Sequence, residues 1–212
     1  MRFLIAQSAG FCFGVKKAVD TVESEIGKHK NLYTYGEIIH NPQVVESFKK
    51  KGVLPVENPE QVREGAVIIR SHGAPKAIIE QFRQKNLEII DATCPFVRRI
   101  QKIVQKALQN GKFIVIIGES KHPEVIGING HCENSGFVVN STAEVQVLPE
   151  TEKPICVVAQ TTTKKQLYDT LVQEIKKKYS AADIEIFDTI CDATAQRQAE
   201  AMQIAKEADA VL

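Results

Sequence analysis

Two stretches of this chain repeat one another around a cysteine. Glu88-Ile89-Ile90-Asp91-Ala92-Thr93-Cys94 matches Glu185-Ile186-Phe187-Asp188-Thr189-Ile190-Cys191, with Glu, Ile, Asp and Cys in register. Each reads as a strand, a polar turn ending in the cysteine, and the start of a helix. Phe3–Ala6, followed by Gly10-Phe11-Cys12-Phe13-Gly14 and a helical stripe, is a looser third copy. The next part of the unit repeats as well: Gly36-Glu37-Ile38-Ile39-His40-Asn41-Pro42 matches Gly118-Glu119-Ser120-Lys121-His122-Pro123. The interval from Cys12 to His40 equals that from Cys94 to His122. Such a chain is expected to build pseudo-threefold α/β lobes, each delivering one cysteine to a common centre. The lobes are read as residues 1–93, 94–190 and 191–212. The third breaks off at Leu212, with Asp209-Ala210-Val211-Leu212 reading as the opening of a strand. It is therefore expected to be truncated, and the chain as given to be inactive.

Short β-branched runs bounded by polar turns recur at Arg2–Ala6, Leu32–Tyr35, Ala66–Ile69, Leu87–Ile90, Phe113–Ile117, Gly136–Val139, Ile155–Ala159 and Ile184–Phe187. Several are apolar on both faces, as strands covered on both sides are. Between them run stripes of helical period. Val15, Ala18, Val19, Val22 and Ile26 make one; Val97, Ile100, Ile103, Val104, Ala107 and Leu108 make another; Leu167, Leu171 and Ile175 make a third. Strand and helix in alternation predict an α/β fold with mostly parallel sheets.

Composition narrows the class. Lys+Arg 27 against Asp+Glu 26 leaves a formal charge of +1, so no net field marks a nucleic-acid binder. The basic runs Lys28-His29-Lys30, Lys49-Lys50-Lys51 and Lys176-Lys177-Lys178 fall where helices should end, facing the negative end of the dipole. No apolar run approaches the roughly 20 residues of a membrane span, and Met1–Ala6 is too short for a signal core. A cytoplasmic protein is expected. Five cysteines there argue for metal or catalysis rather than disulfides.

Cys12, Cys94 and Cys191 each fall between a strand and the first turn of a helix, where free N–H groups favour thiolate. Three thiolates from three lobes suit a [4Fe–4S] cluster with one iron left open, a Lewis-acid site. The alternative is three cysteines merely buried at strand ends. Cys156, inside Ile155–Ala159, and Cys132 read as structural.

His40, His72 and His122 sit in polar turns after strands, where parallel sheets bind ligands. Imidazole donates to phosphate oxygens and, when protonated, adds charge. Together they suggest a small polyanion such as a diphosphate; singly, each could be a satisfied loop histidine. Glu124, with its pKa raised in a closed site, could supply protons. Thr161, in Gln160-Thr161-Thr162-Thr163, could orient a substrate hydroxyl or simply cap the helix near Lys164. A zinc deaminase reading of His122-Pro123-Glu124 with Pro154-Ile155-Cys156 fails because position 159 is Ala.

Taken in order, Ala9–Val15, Arg70-Ser71-His72-Gly73, Asp91-Ala92-Thr93-Cys94-Pro95, His122-Pro123-Glu124-Val125, Gln160-Thr161-Thr162 and Ile190-Cys191-Asp192-Ala193-Thr194 resemble the motifs of the 4-hydroxy-3-methylbut-2-enyl diphosphate reductase family. The resemblance implies a three-lobed α/β fold around a [4Fe–4S] cluster held by Cys12, Cys94 and Cys191. It implies diphosphate binding by His40, His72 and His122, proton delivery by Glu124, and substrate orientation by Thr161. The implied reaction removes an allylic hydroxyl reductively, in isoprenoid synthesis by the methylerythritol phosphate route. Isopentenyl and dimethylallyl diphosphate would be the products, and a ferredoxin or flavodoxin the electron donor. No G-x-G-x-x-G fingerprint is present for an organic hydride carrier. The family's further phosphate-binding Ser-x-Asn segment is absent from the sequence. A non-catalytic iron–sulfur sensor or electron carrier is the alternative; it leaves the histidines, Glu124 and Thr161 idle.

Overall fold

The structure is a computed structural model that describes residues 3–210. Two four-stranded parallel sheets carry the fold. The first contains β1 (Leu32–Tyr35), β2 (Val53–Val56), β3 (Ala66–Ile69) and β4 (Glu88–Asp91), in spatial order β2-β1-β3-β4. The second contains β5 (Phe113–Ile117), β6 (Phe137–Val139), β7 (Ile155–Ala159) and β8 (Ile184–Ile186), in the matching order β6-β5-β7-β8. Every pairing is parallel. The helices are α1 (Phe13–Glu25), α2 (Pro42–Lys50), α3 (Lys76–Gln84), α4 (Pro95–Gln109), α5 (Pro123–Gly130), α6 (Thr142–Gln146), α7 (Lys165–Lys178) and α8 (Asp192–Glu207). The α/β class and the internal repeat are thus both present in three dimensions.

The two-faced apolar runs are the central strands. Ala66 and Ile68 of β3 pack with Ala18 and Val22 of α1, while Val67 and Ile69 pack with Phe82 of α3. In the second sheet, Ile114, Ile116 and Val158 meet Ile100 and Val104 of α4 and Ile128 of α5. The opposite face, Val115, Ile117 and Val157, meets Leu171 and Ile175 of α7. Each fully buried isoleucine here should cost about 2–5 kcal/mol on truncation to Ala. Lys49 and Lys50 close α2, and Lys176, Lys177 and Lys178 close α7, as the dipole favours.

Two elements differ from expectation. Strand β2 was hidden by Pro55, which cannot donate to a ladder; it is tolerated because β2 is an edge strand, bonded only to β1. The strand expected at Arg2–Ala6 is not formed over residues 3–6, where Phe3 and Ile5 are 79% and 83% exposed. A strand needs a hydrogen-bonded neighbour, and none lies beside this segment among the described residues. Its Met1 and Arg2 end, and Val211 and Leu212 of the strand expected at 209–212, lie outside the described residues. Residues 7–10 instead dock on α8. The N–H groups of Gln7 and Ser8 donate to the Glu200 carboxylate at 2.5 and 2.8 Å, and Arg197 donates to the carbonyls of Ser8 and Gly10 at 3.0 and 2.8 Å.

In each sheet the chain winds outward in opposite directions from a central pair, β1 and β3 in one, β5 and β7 in the other. The carboxyl ends of such pairs open a crevice between diverging loops. No helix among the described residues is long and apolar enough to cross a membrane.

Candidate active site

The loops leaving these strand ends carry the candidate residues. His40 follows β1, His72 follows β3, His122 and Glu124 follow β5, and Thr161 follows β7. Cys94 and Cys191 follow the flanking strands β4 and β8, and Cys12 heads α1.

The three histidines, 82 residues apart at the extremes (122 − 40), form one cluster. Ring centroids lie 4.4 Å apart for His40 and His72, 5.6 Å for His72 and His122, and 5.9 Å for His40 and His122. Burial, followed by the charge of His40, drives the His72 pKa down to about 3. Burial and His40 also lower His122. Of the two roles open to these rings, N–H donor or added charge, the lowered values favour the donor role for His72 and His122 in the free protein. Close-packed, partly desolvated imidazoles stay neutral and offer N–H donors instead. The N–H of Glu124 donates to His122 Nδ1 at 3.1 Å, which leaves the proton of neutral His122 on Nε2. His72 Nδ1 and Arg70 Nε are buried without a hydrogen-bond partner.

Glu124 lies in the first turn of α5, second after its His122 cap, and is 2% exposed. Thr161 donates to it twice: its N–H to Oε1 at 2.6 Å and its hydroxyl to Oε2 at 2.7 Å. Burial raises the Glu124 pKa; the two bonds from Thr161 oppose that rise without cancelling it. Capping is not the work of Thr161, since α7 starts after Lys164 with no side-chain cap. Gln160, also buried, braces the same turn, accepting from Glu119 N–H at 3.1 Å and donating to Thr162 Oγ1 at 2.7 Å.

The repeated cysteine turns are built alike. Asp91 Oδ1 accepts from the N–H of Thr93 at 2.9 Å, and Asp188 Oδ1 from that of Ile190 at 3.3 Å, each an Asx turn. The Cys94 N–H then donates to the Ser71 carbonyl at 2.9 Å, and the Cys191 N–H to the Thr161 carbonyl at 2.8 Å. These bonds tie the cysteine turns to the loops holding His72 and the Glu124 partner. Cys12, Cys94 and Cys191 are N-caps of α1, α4 and α8, with no thiol used in capping and all three part-exposed. A Cβ on Gly14 would stand 2.5 Å from Cys94 Sγ, so only glycine lets α1 approach that thiol.

One expectation fails here. The Cys94 thiol is raised, not lowered: burial outweighs the N–H groups of Phe96 and Val97, and the neighbouring Cys12 and Cys191 add to the rise. Among the described residues no His, Cys, Asp and Glu set converges tightly enough to hold a single metal ion. Cys132 and Cys156 are buried core residues as expected, and burial pushes the Cys156 thiol up to about 12.

Sequence reading missed the supporting residues. Gln101 is buried on α4, its side-chain amide against Gly73 beside His72. A glutamine next to the apolar stripe of Val97, Ile100 and Val104 was the available signal. Arg70 lies 5.4 Å over the Tyr35 ring and crosses Gly36, whose φ of +66° and missing side chain leave room for the guanidinium.

Comparison with known proteins places the chain in a family. The family described as LytB protein matches residues 3–212. A 4-hydroxy-3-methylbut-2-enyl diphosphate reductase of Thermoanaerobacter sp. (strain X514) is 47% identical over 214 residues, covering 99% of this chain and 73% of the relative. A solved structure of (E)-4-hydroxy-3-methyl-but-2-enyl diphosphate reductase, the terminal enzyme of the non-mevalonate pathway, superposes with a TM-score of 0.83. It is 40% identical, over 98% of this chain and 74% of that one. The corresponding reductase from Plasmodium falciparum gives a TM-score of 0.86 at 31% identity, over 94% and 64% of the two chains. With a family match along nearly its whole length and relatives of the same name at 40–47% identity, the chain belongs to the LytB protein family of diphosphate reductases.

Proposed function

We propose that the chain reduces 4-hydroxy-3-methylbut-2-enyl diphosphate, replacing its allylic hydroxyl by hydrogen with two electrons and two protons and releasing water. Isopentenyl and dimethylallyl diphosphate are the products. The observation that carries this reading is the cluster of three histidine rings, one of which accepts from the N–H of Glu124, beside the buried Glu124–Thr161 pair.

Cys12, Cys94 and Cys191 fit a [4Fe–4S] cluster. They are free thiols that head three helices, with a glycine clearing space for one sulfur. Ligands of a cluster bind different irons, so they need not converge as ligands of one ion do. When bound, the group supplies single electrons and an open iron position of Lewis-acid character.

The chain's own residues do the rest. His40, His72 and His122 receive the diphosphate, with imidazole N–H groups donating to its oxygens. The unpartnered His72 Nδ1 and the Nε2–H assigned to His122 are the groups available. An arriving dianion opposes the burial that keeps His72 and His122 neutral and favours protons on them. Glu124, its pKa raised by burial, holds a proton nearer neutral pH than an exposed carboxyl would. With that proton on Oε2, its bond to Thr161 turns round: Glu124 donates to Oγ1, and the Thr161 hydroxyl hydrogen faces the substrate oxygen. The pair is a two-member proton relay to the leaving hydroxyl. Electrons arrive from a ferredoxin- or flavodoxin-type carrier.

The full-length protein that contains this chain, prepared without oxygen and loaded with iron and sulfide, should consume the diphosphate with reduced viologen and release both isomeric products. Cluster-loaded protein that leaves the diphosphate untouched would return the chain to the sensor or carrier reading. That reading gives no work to the Glu124–Thr161 pair.

A further inference from the structure

Helix α4 begins at Cys94 and carries Arg98, Arg99, Lys102 and Lys106 without a single carboxylate between Pro95 and Gln109. Pro95, these four cations and Ile103 line one open groove of about 490 Å³. Arg99, Lys102 and Lys106 recur at intervals of three and four, so they share one helical face, and all three are exposed. Only Arg98 is ion-paired among the described residues, to Asp91 at 2.7 Å. The contrast with α7 is direct. There Lys165 pairs with Asp169 and Asp188, Lys177 with Glu174 and Lys178 with Glu150. A chain of formal charge +1 has thus collected an unmatched cationic stripe on the helix that starts at a candidate cluster cysteine.

The apolar surface beside it is also unusual. Phe96, in the first turn of α4, is 47% exposed, and Phe11 and Phe13 on either side of Cys12 are 46% and 68% exposed. Gly14 brings this second group against Cys94. Exposed aromatics next to the cysteines, flanked by a charged stripe, have the anatomy of a transient interface with an apolar centre and a polar rim. Electron-transfer encounters are typically small, and charge guides them more than it tightens them.

We propose that the α4 groove is the docking surface for an acidic one-electron carrier protein, steered by Arg99, Lys102 and Lys106 and seated against Phe96. The proposal rests on the reductase reading, which requires electrons from outside the chain. It adds where the donor binds and what charge it must carry. Docking at the start of α4 brings the partner within about one helical turn, roughly 5.4 Å along the axis, of Cys94.

The test uses the cluster-loaded full-length protein and its variant R99Q/K102Q/K106Q, none of whose positions lies in the proposed reaction machinery. Reduced viologen should drive both proteins within about twofold of each other. With a reduced acidic ferredoxin or flavodoxin, the variant should lose at least about tenfold in kcat/KM at low ionic strength. The wild-type rate should fall with added salt, and the variant's should be nearly flat. Calorimetric binding of the oxidised carrier, a readout independent of turnover, should weaken in parallel. Unchanged carrier binding and turnover in the variant would overturn the proposal. So would equal losses with viologen and carrier, because the cations would then act on the chemistry or the fold. Tight binding of a short DNA duplex with no binding of the carrier would assign the groove to another polyanion. Should viologen drive neither protein, the reductase reading fails, and the calorimetric comparison still decides whether the groove binds an acidic carrier.

Discussion

Glu124 and Thr161, 37 positions apart in sequence, share two hydrogen bonds of 2.6 and 2.7 Å in a site almost closed to water. One comes from the backbone and one from the hydroxyl, so the carboxyl is held in a single plane. Thr161 is itself tied to Cys191 through its carbonyl. The proposed proton source and one cysteine turn are therefore parts of the same rigid unit.

Glu124→Gln keeps the shape and cannot deliver a proton. Its kcat should fall by on the order of 10²-fold or more while the diphosphate still binds. Because the reactive form is the protonated acid, wild-type turnover should decline as pH rises through the raised Glu124 pKa, and the residual Gln activity should lack that limb. Thr161→Val loses the hydroxyl but keeps the backbone bond to Oε1, so its loss should be smaller, and the double variant should be far from additive. Steady-state kinetics across pH checks all three; near-normal turnover by the Gln variant would remove Glu124 from the mechanism.

His40→Ala and His72→Ala should each weaken diphosphate binding by about 1.5–3 kcal/mol, as expected for hydrogen bonds to a charged group. Titration calorimetry with inorganic diphosphate gives the comparison. An alcohol lacking the diphosphate should be indifferent to either change, and equal losses for both ligands would mean the rings only maintain structure.

Stability should carry a signature of His72. Its folded pKa of about 3 lies below its ordinary value of 6.5, so the unfolded chain binds the extra proton as pH falls. Stability is then retained above about pH 6.5 and lost progressively towards pH 3, by on the order of 2–4 kcal/mol. His72→Gln should flatten that part of the profile in urea melts; an unchanged slope would show that His72 is not held neutral.

Replacing Cys12, Cys94 or Cys191 by Ser should lower iron and sulfide content from about four irons per chain, whereas Cys156→Ser should leave it intact. Gly14→Ala supplies a sharper test. Its methyl group would stand 2.5 Å from Cys94 Sγ, so cluster loading should drop while far-ultraviolet dichroism stays the same. Normal loading in Gly14→Ala would show that Cys94 need not approach α1.

The chain's alternation of strands and helices, the repeat, and the start of a helix at each of three cysteines were legible in the sequence because all are periodic or local. Asx turns at Asp91 and Asp188 are written in consecutive residues, and so are the apolar stripes of α1, α4 and α7. Strand β2 was obscured because Pro55 is permitted only by its edge position, which depends on the whole sheet. Which loops meet was likewise decided by tertiary structure: Cys191 with Thr161, Cys94 with Ser71, and three histidines ring against ring. Protonation followed from that packing. A helix start favours thiolate at Cys94 and an isolated histidine titrates near neutrality, yet burial raises the one and lowers the other. Helix-forming and strand-forming tendencies reside in neighbouring residues; desolvation and the field of distant charges exist only once the chain has closed around them.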